Sequence, residues 1–203
     1  IYCCRCKPWD YLTGEETNNG APYGAYIKIF DKEARSILNA TWAGKVFPDE
    51  KIVDIPCVLG ACYAAEKRYW DYLKGLKGLI AYGCDEAYIS LKAWMEGGRC
   101  RLLTNIQIGH LFRNKFPYPI EDKNIVYNKL FIATTLFEDP LKSRLIRVLK
   151  AVDYVLYVSA NEILKKRNNQ VEEFKQYYHN ILNAGYKNFE ILNEEIISKM
   201  IVE

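Results

Sequence analysis

The chain changes character near residue 124, and that change constrains its fold more than any single motif does. Residues 124–203 hold one proline, Pro140, out of seven in the whole chain, and little of the turn chemistry that punctuates strands. The first part is different. Apolar runs of strand length alternate there with polar, Gly- and Pro-marked connections. The expected class is therefore α/β, with an α/β portion at 1–123 followed by a helical extension at 124–203. A length of 203 residues with 50% apolar side chains suffices to bury a sizeable core.

Within the first part, residues 1–6 read as a strand, followed by a turn-rich connection through Gly14 and Asn18-Asn19-Gly20 to Pro22. Tyr23 to Phe30 reads as a second strand, 40–50 as a loop, and Ile52 to Tyr63 as a strand broken by Pro56 and Gly60. Glu66 to Leu73 reads as a short helix. A better helix begins at Asp85, with Ala87, Leu91, Trp94 and Met95 forming one apolar stripe and Gly97-Gly98 as its stop. Cys100 to Ile108 is the next strand. In the extension, four helices are expected: one around Tyr127–Thr134, one capped by Asp139-Pro140, one from about Asn161 to Leu182, and one over much of 189–200.

A net charge of +3 from nearly balanced basic and acidic residues offers no broad surface for nucleic acid. No apolar run approaches the roughly eighteen residues of a membrane span. The seven cysteines are odd in number, sit in apolar surroundings and follow no secretion signal, so reduced core thiols in a cytoplasmic protein are expected. Cys3, Cys4 and Cys6 lack a second Cys/His pair at zinc spacing. Because the chain starts inside an apparent strand, a truncated chain or fragment is expected, and the sheet edge left by missing strands favours association.

Candidate chemistry centres on the acidic pair Asp85-Glu86 and on His110, about two dozen residues later. Two carboxylates and an imidazole in one cleft suit metal-assisted group transfer. Each has a plain structural alternative. An acidic first turn stabilises a helix through its dipole, and a histidine at a strand end is commonly just hydrogen-bonded.

Four blocks in order carry a resemblance: Gly60-Ala61-Cys62-Tyr63-Ala64-Ala65-Glu66-Lys67, Tyr82 through Trp94, Gly97-Gly98, and Gly109-His110-Leu111-Phe112-Arg113. Together they resemble the acceptor-side half of family 2-like glycosyltransferases of the GT-A (Rossmann-like) fold, and in particular the polypeptide N-acetylgalactosaminyltransferases. The similarity covers about residues 50–120. It implies His110 as a ligand to a divalent ion, Mn2+ or Mg2+, that bridges the donor's diphosphate. It implies Arg113 and Tyr118 as donor contacts, with Gly60, Ala61 and Tyr82 lining the nucleotide-sugar. Asp85 matches a sugar-contacting carboxylate. Glu86 stands where inverting enzymes carry the base that takes the acceptor hydroxyl's proton. Either carboxylate of the pair could be that base.

The chain also departs from the family. Tyr82 replaces a Trp, Cys84 and Ala61 each replace a Gly, and no Asp-x-Asp or Asp-x-His occurs to complete a metal site. The implied function is transfer of a sugar from a nucleotide-sugar, UDP-linked, to a hydroxyl on a glycan, peptide or small molecule, with inversion. A noncatalytic glycan- or partner-binding module lacking the donor half is the alternative.

Overall fold

The computed structural model describes residues 1–17, 24–44, 50–112, 116–182 and 185–201. The chain is mixed α/β with a helical C-terminal region. Its main sheet has four strands in the order β4 (Ile52–Asp54), β6 (Arg101–Phe112), β1 (Tyr2–Asp10) and β5 (Tyr63–Ala64). The central pair β1 and β6 is parallel, while β4 and β5 run antiparallel on its two flanks. A parallel pair needs a crossover. Here the crossover carries the other strands and the first two helices, α1 (Lys67–Tyr72) and α2 (Asp85–Met95).

β1 is longer than residues 1–6. Cys3, Cys4 and Cys6 are all buried although neighbours point to opposite faces, as befits a strand covered on both sides. Burial raises the thiols of Cys3, Cys4 and Cys6. The β1–β6 register slips between Cys4 and Arg5: Cys4 faces Leu103, but Arg5 faces Gln107. This irregularity bends β6 and resets its alternation before it reaches His110. His110 thus lies inside a strand, opposite Pro8, rather than just beyond its end.

Residues 40–50 are not all loop. Asn39–Trp42 forms β3, which pairs with β2 (Ala25–Lys28) in a separate antiparallel hairpin. Alternating side chains and a polar setting hid this strand from a pattern search. Residues 45–49, within the same expected loop, lie outside the described residues.

α2 follows a tight turn in which Ala81, Gly83 and Cys84 have φ of 48°, 107° and 68°. It ends at Gly97, whose φ of 100° provides the left-handed stop. The single apolar stripe needs correction. Every residue from Ala87 to Met95 is buried, including Lys92, so α2 is a central helix packed on all sides. Lys92 Nζ donates to the carbonyl of Leu73 at 2.9 Å, to that of Gly75, and to the Tyr178 hydroxyl at 3.3 Å, and lies 3.6 Å from the Tyr88 ring centroid.

Among the described residues, the helical region has five helices rather than four: α3 (Asp122–Leu136), α4 (Leu141–Val152), α5 (Tyr154–Lys166), α6 (Asn168–Ile181) and α7 (Tyr186–Ile201). The expected helix from Asn161 to Leu182 breaks at Arg167, which leaves the helical region without help from Gly or Pro and lays its guanidinium 5.4 Å from the Tyr127 ring. α5 starts where Asp153 accepts a bond from the Leu156 N–H at 2.9 Å.

These helices share the core of the α/β part. Asn193 on α7 accepts from the Ile27 N–H at 2.7 Å and donates to the Ile27 carbonyl at 2.9 Å, extending the edge of β2. Gly185 sits so close to α2 that a β-carbon there would lie 1.4 Å from the Trp94 carbonyl oxygen. Among the described residues, no helix is long and apolar enough to cross a membrane.

Candidate functional site

The N-terminus of α2 gathers the titratable groups that the sequence singled out. The left-handed turn at 81–84 presents Asp85 and Glu86 as the first helical turn, where the helix dipole favours negative charge. The Glu86 side chain folds back over Gly60. A β-carbon at Gly60 would lie 2.0 Å from Glu86 Oε1 and 2.7 Å from its Cδ, so only a glycine hydrogen leaves room for the carboxyl. Ala61, beside it, is half-buried against the core.

The enclosure changes the chemistry of Glu86. Burial, reinforced by the adjacent charge of Asp85, pushes it up to about 7.

Two tyrosines face the pair. Burial raises the Tyr63 hydroxyl to about 12, and the charges of Asp85 and Glu86 push in the same direction. Tyr82 is raised by burial and then by Glu86, Asp85 and Tyr118. Tyr82 also belongs to an aromatic triangle. Its ring centroid lies 5.1 Å from Phe116 and 6.3 Å from Tyr118, and these two are 6.0 Å apart. All three rings are exposed, at 42%, 57% and 51%. Such a group offers ring faces and hydroxyls beside an acidic pair, a setting suited to polyhydroxylated ligands.

The structure thus brings together Asp85, Glu86, Gly60, Tyr82 and Tyr118 of the residues expected from sequence. Tyr63 and Phe116 were missed. Tyr63 lies in the same block as Gly60, but nothing in the sequence pointed its ring towards α2. Phe116 falls in no motif or periodic segment that marks it in the sequence. Arg113 lies outside the described residues.

His110 is half-buried on β6, next to Gly109, over which the Trp9 indole lies with its Nε1 3.0 Å from an added β-carbon. Among the described residues, no group of three or more His, Cys, Asp or Glu could hold a metal ion. The donor set present therefore does not by itself fit Mn2+ or Mg2+.

A cleft of about 620 Å³ opens among the helices between Met95, the Phe137–Lys142 segment, α6 and Tyr186. It lies at the opposite end of α2, about 15 Å from Asp85 at 1.5 Å per helical residue. Its acids are already paired, Asp139 with Lys142 at 3.0 Å and Glu138 with His179 at 3.5 Å. Convergent polar groups with a perturbed carboxyl favour the α2 terminus over that cleft as the site of chemistry.

No family model matches the chain. It is similar to polypeptide N-acetylgalactosaminyltransferase 14 of Homo sapiens, 32% identical over 83 residues, which is 40% of this chain and 15% of that enzyme. It is 28% identical over 92 residues to polypeptide N-acetylgalactosaminyltransferase 5 of Mus musculus, covering 43% of this chain and 10% of that one. Over 130 residues, 62% of this chain and 22% of the relative, it is 23% identical to polypeptide N-acetylgalactosaminyltransferase 4 of Caenorhabditis elegans. The chain therefore has a glycosyltransferase-like relationship, of GT-A family type, over a third to about three fifths of its length, and the matches span at most about a fifth of these relatives.

Proposed function

We propose that this chain is the acceptor-side portion of a GT-A glycosyltransferase that moves a sugar from a UDP-linked donor to a hydroxyl acceptor with inversion. The observation that carries this reading is the Asp85–Glu86 carboxyl pair, seated on Gly60 and faced by Tyr63 and Tyr82, with Glu86 titrating near neutrality. A base that is half ionised near pH 7 combines availability with proton affinity. In the proposed step Glu86 takes the acceptor hydroxyl's proton as that oxygen bonds to the anomeric carbon. The bond from that carbon to the diphosphate breaks on the opposite face, and the nucleotide departs with its electron pair. Asp85 holds the sugar and tunes its neighbour. The exposed Tyr82–Phe116–Tyr118 rings flank the incoming sugar or acceptor. The resemblance assigns His110 and Arg113 to the diphosphate; no step is assigned to a metal, because the described donors do not build its site.

The test is transfer of radiolabelled sugar from UDP-sugars to an array of hydroxyl acceptors, comparing the unaltered chain with Glu86→Gln. Losing a general base costs ~10²–10⁴-fold in rate. Transfer that survives Glu86→Gln unchanged would remove Glu86 from the reaction. A second reading, a glycan-binding module, draws on the exposed aromatic triangle and the incomplete metal set. It expects glycan affinity without metal, lost in Tyr82→Ala, and no transfer by the unaltered chain.

A further inference from the structure

Two cysteines outside the proposed chemistry are juxtaposed across the β1–β5 edge. The antiparallel register pairs Tyr2 with Ala64 and Cys3 with Tyr63. One residue further, Cys4 falls opposite Cys62, and opposed residues of an antiparallel pair project to the same face. Directly opposed Cα atoms are ~4.5–5.5 Å apart. A disulfide bridges Cα atoms ~4.4–6.8 Å apart. The two thiols are close enough for Cys62 to raise the pKa of Cys4. Of the seven cysteines Cys62 is exposed and the other six are buried, so one member of the pair is open to solution and the other waits behind it. Cys3, the neighbouring residue on β1, projects to the opposite face.

We propose that Cys4 and Cys62 form an oxidisable dithiol that closes into a cross-strand disulfide by exchange with a low-molecular-weight disulfide such as oxidised glutathione. The exposed Cys62 thiolate attacks one sulfur of the small disulfide, forming a mixed disulfide and releasing one small thiol. Cys4, deprotonated, then attacks Cys62 Sγ and releases the second small thiol. The protein loses two electrons and two protons, and the small disulfide gains both pairs. Burial and the neighbouring Cys62 push Cys4 up to about 11, so the second step is the slow one at neutral pH and accelerates as pH rises. The bond would staple the turn carrying Gly60, two residues from Cys62, to the central strand β1. Glu86 rests on that turn, so oxidation state and the carboxyl pair share one piece of backbone. The inference stands on the thiol geometry whether or not the chain transfers sugar.

The experiment is incubation of the folded, reduced chain with oxidised glutathione at pH 7 and pH 9, acid quench, alkylation and nonreducing peptide mapping. The expected product links the Ile1–Arg5 peptide to that containing Cys62, forms faster at pH 9, persists in Cys3→Ser, and is absent in Cys4→Ser and Cys62→Ser. In Cys4→Ser the Cys62 glutathione adduct should accumulate instead. Cys62 remaining free or only glutathionylated in the unaltered chain at both pH values would overturn the proposal. So would a link from Cys62 to another cysteine that forms equally well in Cys4→Ser.

Discussion

A carboxyl that titrates near neutrality serves as a base and also burdens the fold, and Glu86 does both. Its ordinary value is 4.5, and in the folded chain it rises to about 7. Below 4.5 the group is protonated in both states and costs nothing. Between 4.5 and 7 the unfolded chain releases a proton that the folded chain retains, so stability falls as pH rises, and above about 7 the loss is complete. Urea midpoints should therefore drop between about pH 4 and pH 8 in the unaltered chain and drop less in Glu86→Gln. Equal drops in both would mean that Glu86 is not the group held protonated. The pair itself was legible in the sequence because acidic residues at a helix start, followed eleven residues later by a glycine stop, leave few alternatives. The seat on Gly60 and the approach of Tyr63 were not legible, since both depend on how the turn at 60–64 packs against α2, a contact between segments far apart in sequence.

Among the elements, α2 shows how periodicity can be right about existence and wrong about environment. Ala87, Leu91, Trp94 and Met95 suffice to identify the helix, but the burial of Lys92 could not be inferred, because a lysine opposite an apolar stripe reads as the solvated face. The structure instead uses it as a clamp. Its ammonium group binds the carbonyls of Leu73 and Gly75, beyond the end of α1, and the Tyr178 hydroxyl of α6, while stacking on Tyr88. Burial pulls its pKa well down, yet the three acceptors and the ring face favour its presence as a donor. Lys92→Met keeps the stem and deletes the donor, leaving the Gly75 carbonyl without its partner in the core, while the Leu73 carbonyl still accepts from the Tyr178 hydroxyl at 3.2 Å. An unsatisfied buried group costs ~1–3 kcal/mol, so a loss of that order is expected in chemical unfolding. A loss within ~0.5 kcal/mol, typical of surface changes, would show that water reaches the Gly75 carbonyl. β3 and the break at Arg167 were missed for related reasons. Neither carries Gly, Pro or a long apolar run: β3 depends on pairing with β2 across the turn between them, and Arg167 meets the Tyr127 ring of another helix.

At the scale of the molecule, the compositional boundary near residue 124 marks a change of secondary structure, while the core runs straight across it. Tyr127 donates to the Gly78 carbonyl, Lys129 to those of Ala34 and Arg35, Tyr178 meets Tyr88, and Asn193 completes the edge of β2. The sequence could show two textures, because texture is local, but not the shared burial, because burial is collective. A consequence follows for unfolding. All four tryptophans lie before residue 95, so their fluorescence reports the α/β part, whereas far-ultraviolet circular dichroism is dominated by the helices after residue 121. Asn193→Ala removes a donor and an acceptor from the buried Ile27 backbone, and should lower stability by ~2–6 kcal/mol at ~1–3 per stranded group. If one core spans the chain, both signals move to the same lower denaturant midpoint, since a single cooperative unit has a single transition. If the helical region unfolds by itself, the dichroism midpoint falls while tryptophan fluorescence stays near its original value, and the shared contacts would then be docking between two units. The density of buried hydrogen bonds crossing the boundary favours the first outcome, and with it a carboxyl site whose geometry is held by the helices behind it as much as by the sheet in front.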